Sequence, residues 1–164
     1  MTEIRVGVVD VCVIHPSPNG SWKVLLLRRG RDTRCTGAWE SVHGRIEGEE
    51  RPENAAVREV REETGLAVAR LYNVTVQPFY LHSTGTVQMS VVFAAFVDDT
   101  QVKLSAEHSG YEWLSVGDAL KRFAWPREAA ALRDIVALVG GGDAGAVEDV
   151  LRVRIEDRGL RIED

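Results

Sequence analysis

Cysteine is scarce in this sequence, whose 164 residues include only Cys12 and Cys35. The two cysteines do not form the closely spaced pair that is typical of a cysteine metal site. Cys12 lies within an apolar, strand-like segment and is predicted to be a core residue. The sequence therefore predicts reduced thiols and excludes a cysteine metal centre.

Long apolar runs and an excess of positive charge are also missing. No stretch is long enough to span a bilayer, and the first ten residues lack a basic segment followed by an apolar one, so we expect a cytoplasmic protein without a membrane partner. The 25 acidic residues outnumber the 20 basic ones, which gives a formal net charge of −5. Because no basic stripe compensates this charge, a nucleic-acid polymer is not expected as a partner. Phosphate-bearing small molecules stay compatible, because a bound metal would reverse the local sign.

The length and composition are those of one globular domain. Apolar segments with strand and helix periodicity occur in turn, which predicts the α/β class. A central mixed sheet covered by helices on both faces is the economical packing of such elements. The predicted strands span residues 4–14, 22–27, 66–77, 87–97 and 111–114, and the predicted helices span residues 52–64, 115–123 and 127–139.

A glycine-rich break at residues 140–145 divides the sequence into a predicted domain, residues 1–139, and a C-terminal tail, residues 140–164. Leu151, Val153 and Ile155 alternate in the tail, as is typical of a strand. We therefore expect the tail to form an edge strand or an interaction arm.

The strongest functional signal is an acidic run, GRIEGEERPENAAVREVREETGL, at residues 44–66. In the predicted helix, Glu59, Glu62 and Glu63 are spaced i, i+3 and i+4, which places their carboxylates on one face. Like charges at this spacing repel, unless a cation neutralises them. Hard cations such as Mg²⁺ prefer oxygen ligands of this kind, usually together with substrate phosphates. The alternative is a solvated acidic helix face.

The same run resembles the signature of the Nudix hydrolases over its full length. That signature is a glycine, five residues, a glutamate, seven residues, and then Arg-Glu-apolar-any-Glu-Glu-any-Gly-apolar. The resemblance implies an α/β/α sandwich and cleavage of a pyrophosphate bond in a nucleoside-diphosphate-linked substrate. The matching positions are Gly44, Glu50, Arg58, Glu59, Val60, Glu62, Glu63, Gly65 and Leu66.

The resemblance also implies a metal site. Glu59 and Glu63 correspond to the family's principal ligands for Mg²⁺, with Mn²⁺ as a substitute, and Glu62 to an additional ligand or a base. The backbone carbonyl of Gly44 corresponds to the family's main-chain ligand, which would explain a glycine where the loop approaches the metal.

Two further roles follow from the resemblance. Arg58 and Glu50 correspond to an ion pair that fixes the loop against the helix. The general base is either Glu62, within the run, or a glutamate on a later loop, for which Glu107 is the best candidate. A surface carboxylate is the alternative for Glu107.

Three residues outside the acidic helix are candidates for substrate binding. His43 stands where many family members have glycine and would place an imidazole beside the phosphate site, although loop packing is an equal alternative. Arg28 belongs to a basic cluster that could steer polyphosphate or solvate a loop. Trp39 is expected to pack under the loop of the run. His82 and His108 have no spacing relation to a ligand set and are expected to be surface or loop residues.

Segments outside the run resemble the branch that contains dihydroneopterin triphosphate (dATP) pyrophosphohydrolase. The resemblance rests on residues 39–44, residues 107–114, and Trp125 with Arg127. It implies a nucleoside or pterin triphosphate that is split into a monophosphate and pyrophosphate. The alternatives are a hydrolase of a diphosphate diester, such as ADP-ribose or a dinucleoside polyphosphate, and a nucleotide-binding regulator without hydrolysis. A homodimer is a further expectation by analogy with the family.

Overall fold

Eight strands and four α-helices form the part of the chain that the computed structural model describes, residues 1–155. None of the described helices combines the length and the apolar composition needed to cross a membrane. The strands are β1 (Glu3–Pro16), β2 (Trp22–Arg29), β3 (Trp39–Glu40), β4 (Val42–Arg45), β5 (Arg70–Leu81), β6 (Thr86–Phe96), β7 (His108–Ser115) and β8 (Arg152–Val153). The helices are α1 (Pro52–Thr64), α2 (Val116–Arg122), α3 (Pro126–Val139) and α4 (Glu148–Leu151), with a 3₁₀ turn at Gly145–Val147.

The strand β1 organises the sheet, because it has neighbours along both edges. It runs parallel to β6 on one edge. On the other edge it pairs antiparallel with β2 near its C-terminal end and with β4 in its middle. The main path of the sheet is β3-β2-β1-β6-β5-β8, and β7 adds to β2. The mixed sheet that the sequence predicts is confirmed.

The alternation of side chains along β1 gives the sheet two buried faces. Val9, Val11 and Val13 join a core that includes α1, whereas Cys12 and Ile14 join an opposite core that includes α2 and α3. Helices therefore cover both faces, which confirms the predicted layers. Cys12 is 5% exposed and is a core residue, as expected.

The acidic run folds as the sequence predicts, into a loop followed by α1. Arg51 provides no side-chain cap, and Pro52 takes the first turn, where a missing N–H is tolerated. Gly65 ends the helix with φ = +73°, a left-handed conformation that favours glycine, and its N–H donates to the carbonyl of Arg61.

Two strands start at clearly different positions from the predicted ones. The strand expected at residues 66–77 is β5, which starts at Arg70, where pairing with Phe96 of β6 begins. The strand expected at residues 111–114 is β7, which starts at His108, because it pairs with the end of β2 as far as Arg29. The earlier start of β7 places His108 inside the sheet.

The predicted tail lies partly within the described chain. Leu151, expected to be in a strand, ends the short helix α4, and only Arg152 and Val153 pair with β5 as β8. Glu148 accepts a hydrogen bond from the hydroxyl of Tyr72 at 3.0 Å, which ties α4 to the sheet. Residues 156–164 lie outside the described residues, and the domain division at residue 139 stays a prediction.

The helix α3 is tied to the sheet through a buried glutamate. Glu128 is 4% exposed, and its Oε1 accepts hydrogen bonds from the backbone N–H of Ser41 at 2.8 Å and from its hydroxyl at 2.6 Å. Ser41 lies between β3 and β4, so this contact fixes the start of β4. Burial, followed by the negative charge of Asp10, raises the pKa of Glu128 to about 8 against the opposing effect of the Ser41 hydrogen bonds.

We predict that Glu128→Gln changes the pH dependence of stability. The ordinary pKa of a glutamate is 4.5, whereas folded Glu128 keeps its proton to about pH 8. The free energy of unfolding of the wild type therefore falls as the pH rises between these values, by at most about 1.4 kcal/mol per pH unit. Glutamine keeps the acceptor for Ser41 and does not ionise, so the variant should gain stability relative to the wild type between pH 5 and pH 8. Urea unfolding across this range measures the difference.

The matched control is Asp134→Asn, because Asp134 is an exposed carboxylate on the same helix. Its stability difference from the wild type should show no such trend. A Glu128→Gln difference that stays flat from pH 5 to pH 8 would contradict the assignment of a raised pKa to this buried carboxyl group.

Candidate active site

Arg58 and Glu50 join the loop of the acidic run to α1. The guanidinium donates to Glu50 through Nε at 3.0 Å and through Nη2 at 2.9 Å, which is a bidentate pair. Nη2 also donates to the backbone carbonyl of Arg45 at 2.8 Å. The hydrogen bond between the two side chains is the largest cause of both shifts, raising the pKa of Arg58 and lowering that of Glu50. The structure thus brings together the two residues expected to brace the loop.

Glu59 lies between Arg58 and the backbone of β4. Its Oε1 accepts a hydrogen bond from Nη1 of Arg58 at 2.9 Å, and the same nitrogen donates to Glu62 at 3.1 Å. Gly44 contacts the Glu59 side chain so closely that a Cβ there would overlap the carboxyl group. Burial raises the pKa of Glu59, and the opposing effect of Arg58 does not cancel it. Glycine at position 44 is therefore required by the space that Glu59 occupies.

Glu63 is the most deeply buried carboxylate of α1, with 5% of the residue exposed. Within residues 1–155, its Oε2 has no hydrogen-bond partner. Burial, followed by the negative charges of Glu59, Glu107 and Glu40, raises the pKa of Glu63 to about 9. A buried carboxyl group without a partner is costly, and it is the feature of this site that most needs a cation.

Arg29 connects two further glutamates to the same cluster. Its Nη1 lies 3.4 Å from Oε1 of Glu40 and 3.6 Å from Oε2 of Glu107. The backbone carbonyl of Glu107 accepts a hydrogen bond from the N–H of Gly30 at 2.8 Å, which holds the preceding loop against the end of β2. The Glu107 side chain stays 60% exposed. The loop therefore folds toward the carboxylates of α1, as the candidate base requires.

His108 is not the surface or loop residue that we expected. It starts β7, its side chain is 1% exposed, and its Nε2 lies 3.9 Å from Oε1 of Glu40 and 3.9 Å from Oε2 of Glu63. The expectation was wrong because β7 starts earlier than predicted and carries this side chain inward. The position of His108 within residues 107–114, a segment that resembles the pyrophosphohydrolase branch, was the signal that could have identified it.

His43 belongs to a second polar network, on the side of the sheet covered by α3. Its Nδ1 lies 2.6 Å from Oδ1 of buried Asp10, whose Oδ2 accepts hydrogen bonds from Ser90 at 2.7 Å and from Arg127. Burial acts against ionisation of both groups, but their mutual hydrogen bond and charges prevail and leave the pKa of Asp10 lowered and that of His43 raised. The His43 side chain is 33% exposed. The pair thus favours a partly exposed imidazolium next to Gly44.

Sequence reasoning missed Asp10. The segment of β1 is rich in valine and was interpreted only as a strand. A lone carboxylate inside a buried strand nevertheless needs a cationic or hydrogen-bond-donating partner. The need for a partner could have been predicted from the sequence. The identity of the partner could not, since Arg127 lies 117 positions away in sequence.

Arg28 and Trp39 pair across β2 and β3, and neither side chain joins the carboxylate cluster. The guanidinium of Arg28 lies near Gly37 on the exposed side of β2, and the arginine that joins the carboxylate cluster is its neighbour Arg29. Trp39 packs against the core shared with α2 and α3, with the guanidinium of Arg122 5.2 Å from its ring centre. The expectation that Trp39 packs under the loop of the acidic run was wrong, because Trp39 faces the opposite core from α1 and Ile46. The roles of Arg28 and Trp39 in substrate binding stay predictions.

The carboxylates beside α1 fit a hard divalent cation. Within residues 1–155, no group of three or more His, Cys, Asp or Glu side chains is placed so that it could hold a metal ion. Mg²⁺ is usually held by one or two carboxylates, with water and substrate phosphates completing its shell. The unpartnered Oε2 of Glu63 and the uncompensated charge around it supply the observation that favours such a ligand.

Comparisons with known proteins identify the domain. The NUDIX domain family matches residues 5–135. The CTP pyrophosphohydrolase of Escherichia coli is 30% identical over 119 residues, which cover 71% of this chain and 84% of that protein. A protein of Myxococcus xanthus named octanoyltransferase is 39% identical over 110 residues, which cover 61% of this chain and 28% of that protein. A Caenorhabditis elegans protein provisionally named nudix hydrolase 1 is 27% identical over 158 residues, which cover 91% of this chain.

The chain spans 28% of the length of the Myxococcus protein and 40% of that of the Caenorhabditis protein.

Solved structures share the fold. The E. coli dihydroneopterin triphosphate pyrophosphohydrolase superposes with a TM-score of 0.64 at 22% identity, covering 84% of this chain and 99% of that one. A C. elegans Ap4A hydrolase superposes with a TM-score of 0.66 at 21% identity, covering 82% and 97%. The predicted Nudix fold is confirmed, and the chain belongs to the NUDIX family.

Proposed function

We propose that the protein is a Mg²⁺-dependent hydrolase that cleaves a pyrophosphate bond in a small nucleotide-like substrate. The observation that carries the proposal is the carboxylate cluster beside Gly44, in which Glu63 is buried and lacks a partner for Oε2 within the described residues. Relatives that are named pyrophosphohydrolase and nudix hydrolase support an enzyme of this class.

The cation would be held by Glu59, Glu63 and the carbonyl of Gly44, with Glu62 as a further ligand. When bound, it would neutralise the charge of the phosphate oxygens and favour attack by water. Arg58 serves this arrangement indirectly, because it donates to Glu50, Glu59 and Glu62 at 2.9 to 3.1 Å and so fixes the carboxylates relative to the loop. Its part is to position ligands.

Two exposed carboxylates can take a proton from the attacking water. The Glu107 side chain is 60% exposed and lies 3.6 Å from its cation, Arg29. The Glu62 side chain is 57% exposed but accepts a 3.1 Å hydrogen bond from Arg58. A general base needs an accessible oxygen, and the hydrogen bond from Arg58 occupies one oxygen of Glu62. We therefore favour Glu107, with Glu62 as the alternative.

For the substrate we propose a nucleoside or pterin triphosphate that gives a monophosphate and pyrophosphate. The similarity to a CTP pyrophosphohydrolase supports this choice. His43 and Arg127 are both bound to Asp10 on the side of β4 opposite α1, so a role of His43 in binding this substrate stays a prediction. The alternative is a diphosphate diester, since a structural neighbour is an Ap4A hydrolase.

A nucleotide-binding regulator without hydrolysis is the least supported hypothesis, because the acidic run contains every glutamate of the Nudix signature. The cytoplasmic location and the homodimer expected from the sequence stay predictions.

The proposal predicts Mg²⁺-dependent release of pyrophosphate from nucleoside triphosphates. The panel is CTP, dATP and dihydroneopterin triphosphate against ADP-ribose and diadenosine tetraphosphate, with product identification by chromatography. Removing a charge that stabilises the transition state typically costs several kcal/mol, so Glu59→Gln should lower kcat/KM by at least about a hundredfold.

Glu53→Gln is the matched control, because Glu53 lies on the same helix and pairs with Arg51 outside the cluster. Its kcat/KM should stay close to that of the wild type. AMP released from ADP-ribose would favour the diester alternative. The absence of turnover with Mg²⁺ and Mn²⁺ on every substrate would exclude the proposed activity.

The contact between Gly44 and Glu59 gives a second prediction, tested by Gly44→Ala. A Cβ at this position would displace the flexible end of the Glu59 side chain rather than backbone, so the fold should persist while the carboxylate moves. We expect a loss of catalytic rate of at least about tenfold, with a change in melting temperature of a few degrees. Turnover assays and thermal unfolding measure the two effects separately.

Gly117→Ala is the control for this substitution, because no atom lies within 4 Å of a Cβ added at this position in α2. It should leave the rate unchanged. Equal activities of the Gly44→Ala variant and the wild type would show that the position of the Glu59 carboxylate does not limit the reaction.

A further inference from the structure

His108 is a buried imidazole that satisfies neither of its ring nitrogens within residues 1–155. Its side chain is 1% exposed, and its Nε2 lies between two carboxylates, 3.9 Å from Glu40 and 3.9 Å from Glu63. A side-chain contact of about 3.6 Å or more is too long to be a hydrogen bond. A small rotation of one carboxylate would therefore bring its oxygen within hydrogen-bonding distance of Nε2 of His108.

The two carboxylates differ in how firmly they are held. Glu40 is engaged by Arg29 at 3.4 Å and by the indole N–H of Trp125 at 3.3 Å. The backbone of His108 is fixed as well, since it belongs to β7 and pairs with β2, and the side chain is buried. Glu63 has an Oε2 without a partner among the described residues. Glu63 is thus the partner that is free to turn toward Nε2.

We propose that His108 is a positioning residue that donates its Nε2–H to Oε2 of Glu63 and so orients this carboxylate as a cation ligand. The inference rests on the proposed function, which makes Glu63 a ligand. A ligand carboxylate whose remaining lone pairs are bonded keeps one orientation, and a donor of this kind strengthens metal binding. The bond to an ionised carboxylate is also stronger than a neutral one.

The same geometry explains why the side chain is a histidine. The position is buried, and a lysine or arginine there would need more room than the imidazole and would neutralise Glu40 and Glu63 in place of a metal ion. An imidazole supplies a directional N–H there. His108 does not contact the substrate in this arrangement, and its effect passes through Glu63.

The test compares variants that keep or remove the donor. His108→Gln keeps an N–H at the position of Nε2, whereas His108→Leu and the more flexible His108→Met remove it. Mn²⁺ binding, measured without substrate by calorimetry and electron paramagnetic resonance, is the readout, and thermal unfolding establishes that each variant is folded. We expect the two apolar variants to bind Mn²⁺ at least about tenfold more weakly than the wild type. His108→Gln should stay within about threefold.

His15→Leu is the matched control. His15 is also partly buried in the sheet, where its Nδ1 lies 3.1 Å from the carbonyl of Val97, outside the carboxylate cluster. Its loss should leave Mn²⁺ affinity unchanged. Since two apolar variants are tested, a failure of one to fold still leaves the comparison with glutamine.

Two results would overturn the assignment: wild-type affinity in the folded apolar variants, or an equal loss in the glutamine and apolar variants, which would indicate shape rather than a donor. A wild-type protein that binds no Mn²⁺ would overturn it too. A wild type that binds Mn²⁺ but hydrolyses nothing in the panel would refute the proposed function while the role of His108 in metal binding stands.

Discussion

Repulsion among carboxylates packed into a small volume is the constraint on which this structure depends. Glu59, Glu63 and Glu107 lie close enough for the charges of the other two to disfavour ionisation of Glu63. Arg58 and Arg29 offset part of this charge. The negative charge that the arginines leave uncompensated is concentrated at Glu63, where burial and an unpartnered oxygen coincide among the described residues. Under the proposed function, the fold maintains a site that is unfavourable by itself and is stabilised by a cation.

The sheet topology is what holds such a site together. One edge of β1 carries both β2 and β4, and the end of β2, with Arg29, comes close enough to α1 for its charge to act on Glu63. The helix α1 packs on the same face through its apolar side, and the bidentate pair of Arg58 and Glu50 fixes the intervening loop. Packing on the opposite face, through Glu128 and Ser41, anchors the start of β4. The position of each ligand is therefore set by elements that belong to the core.

Much of this could be predicted from sequence because the signals were local. The periodicity of the helix, the glycine that ends it and the spacing of the glutamates all act within one segment, and each is confirmed or placed as expected. The inward turn of His108, the partners of Asp10 and the deep burial of Glu63 depend on pairing between distant strands, which no local pattern contains. The sequence analysis named Arg28 as a candidate instead of Arg29 for the same reason. The register of β2 decides which of the two arginines faces the carboxylates, and no local pattern contains that register.

The most direct test of this account is the melting temperature of the wild type and of Glu63→Gln, each measured with and without Mn²⁺. If the buried carboxylate destabilises the protein until a cation binds, the variant should melt higher than the wild type in the absence of metal. Mn²⁺ should then raise the melting temperature of the wild type and leave that of the variant unchanged. A variant that melts lower without metal, or that shows the same shift with Mn²⁺ as the wild type, would contradict the account.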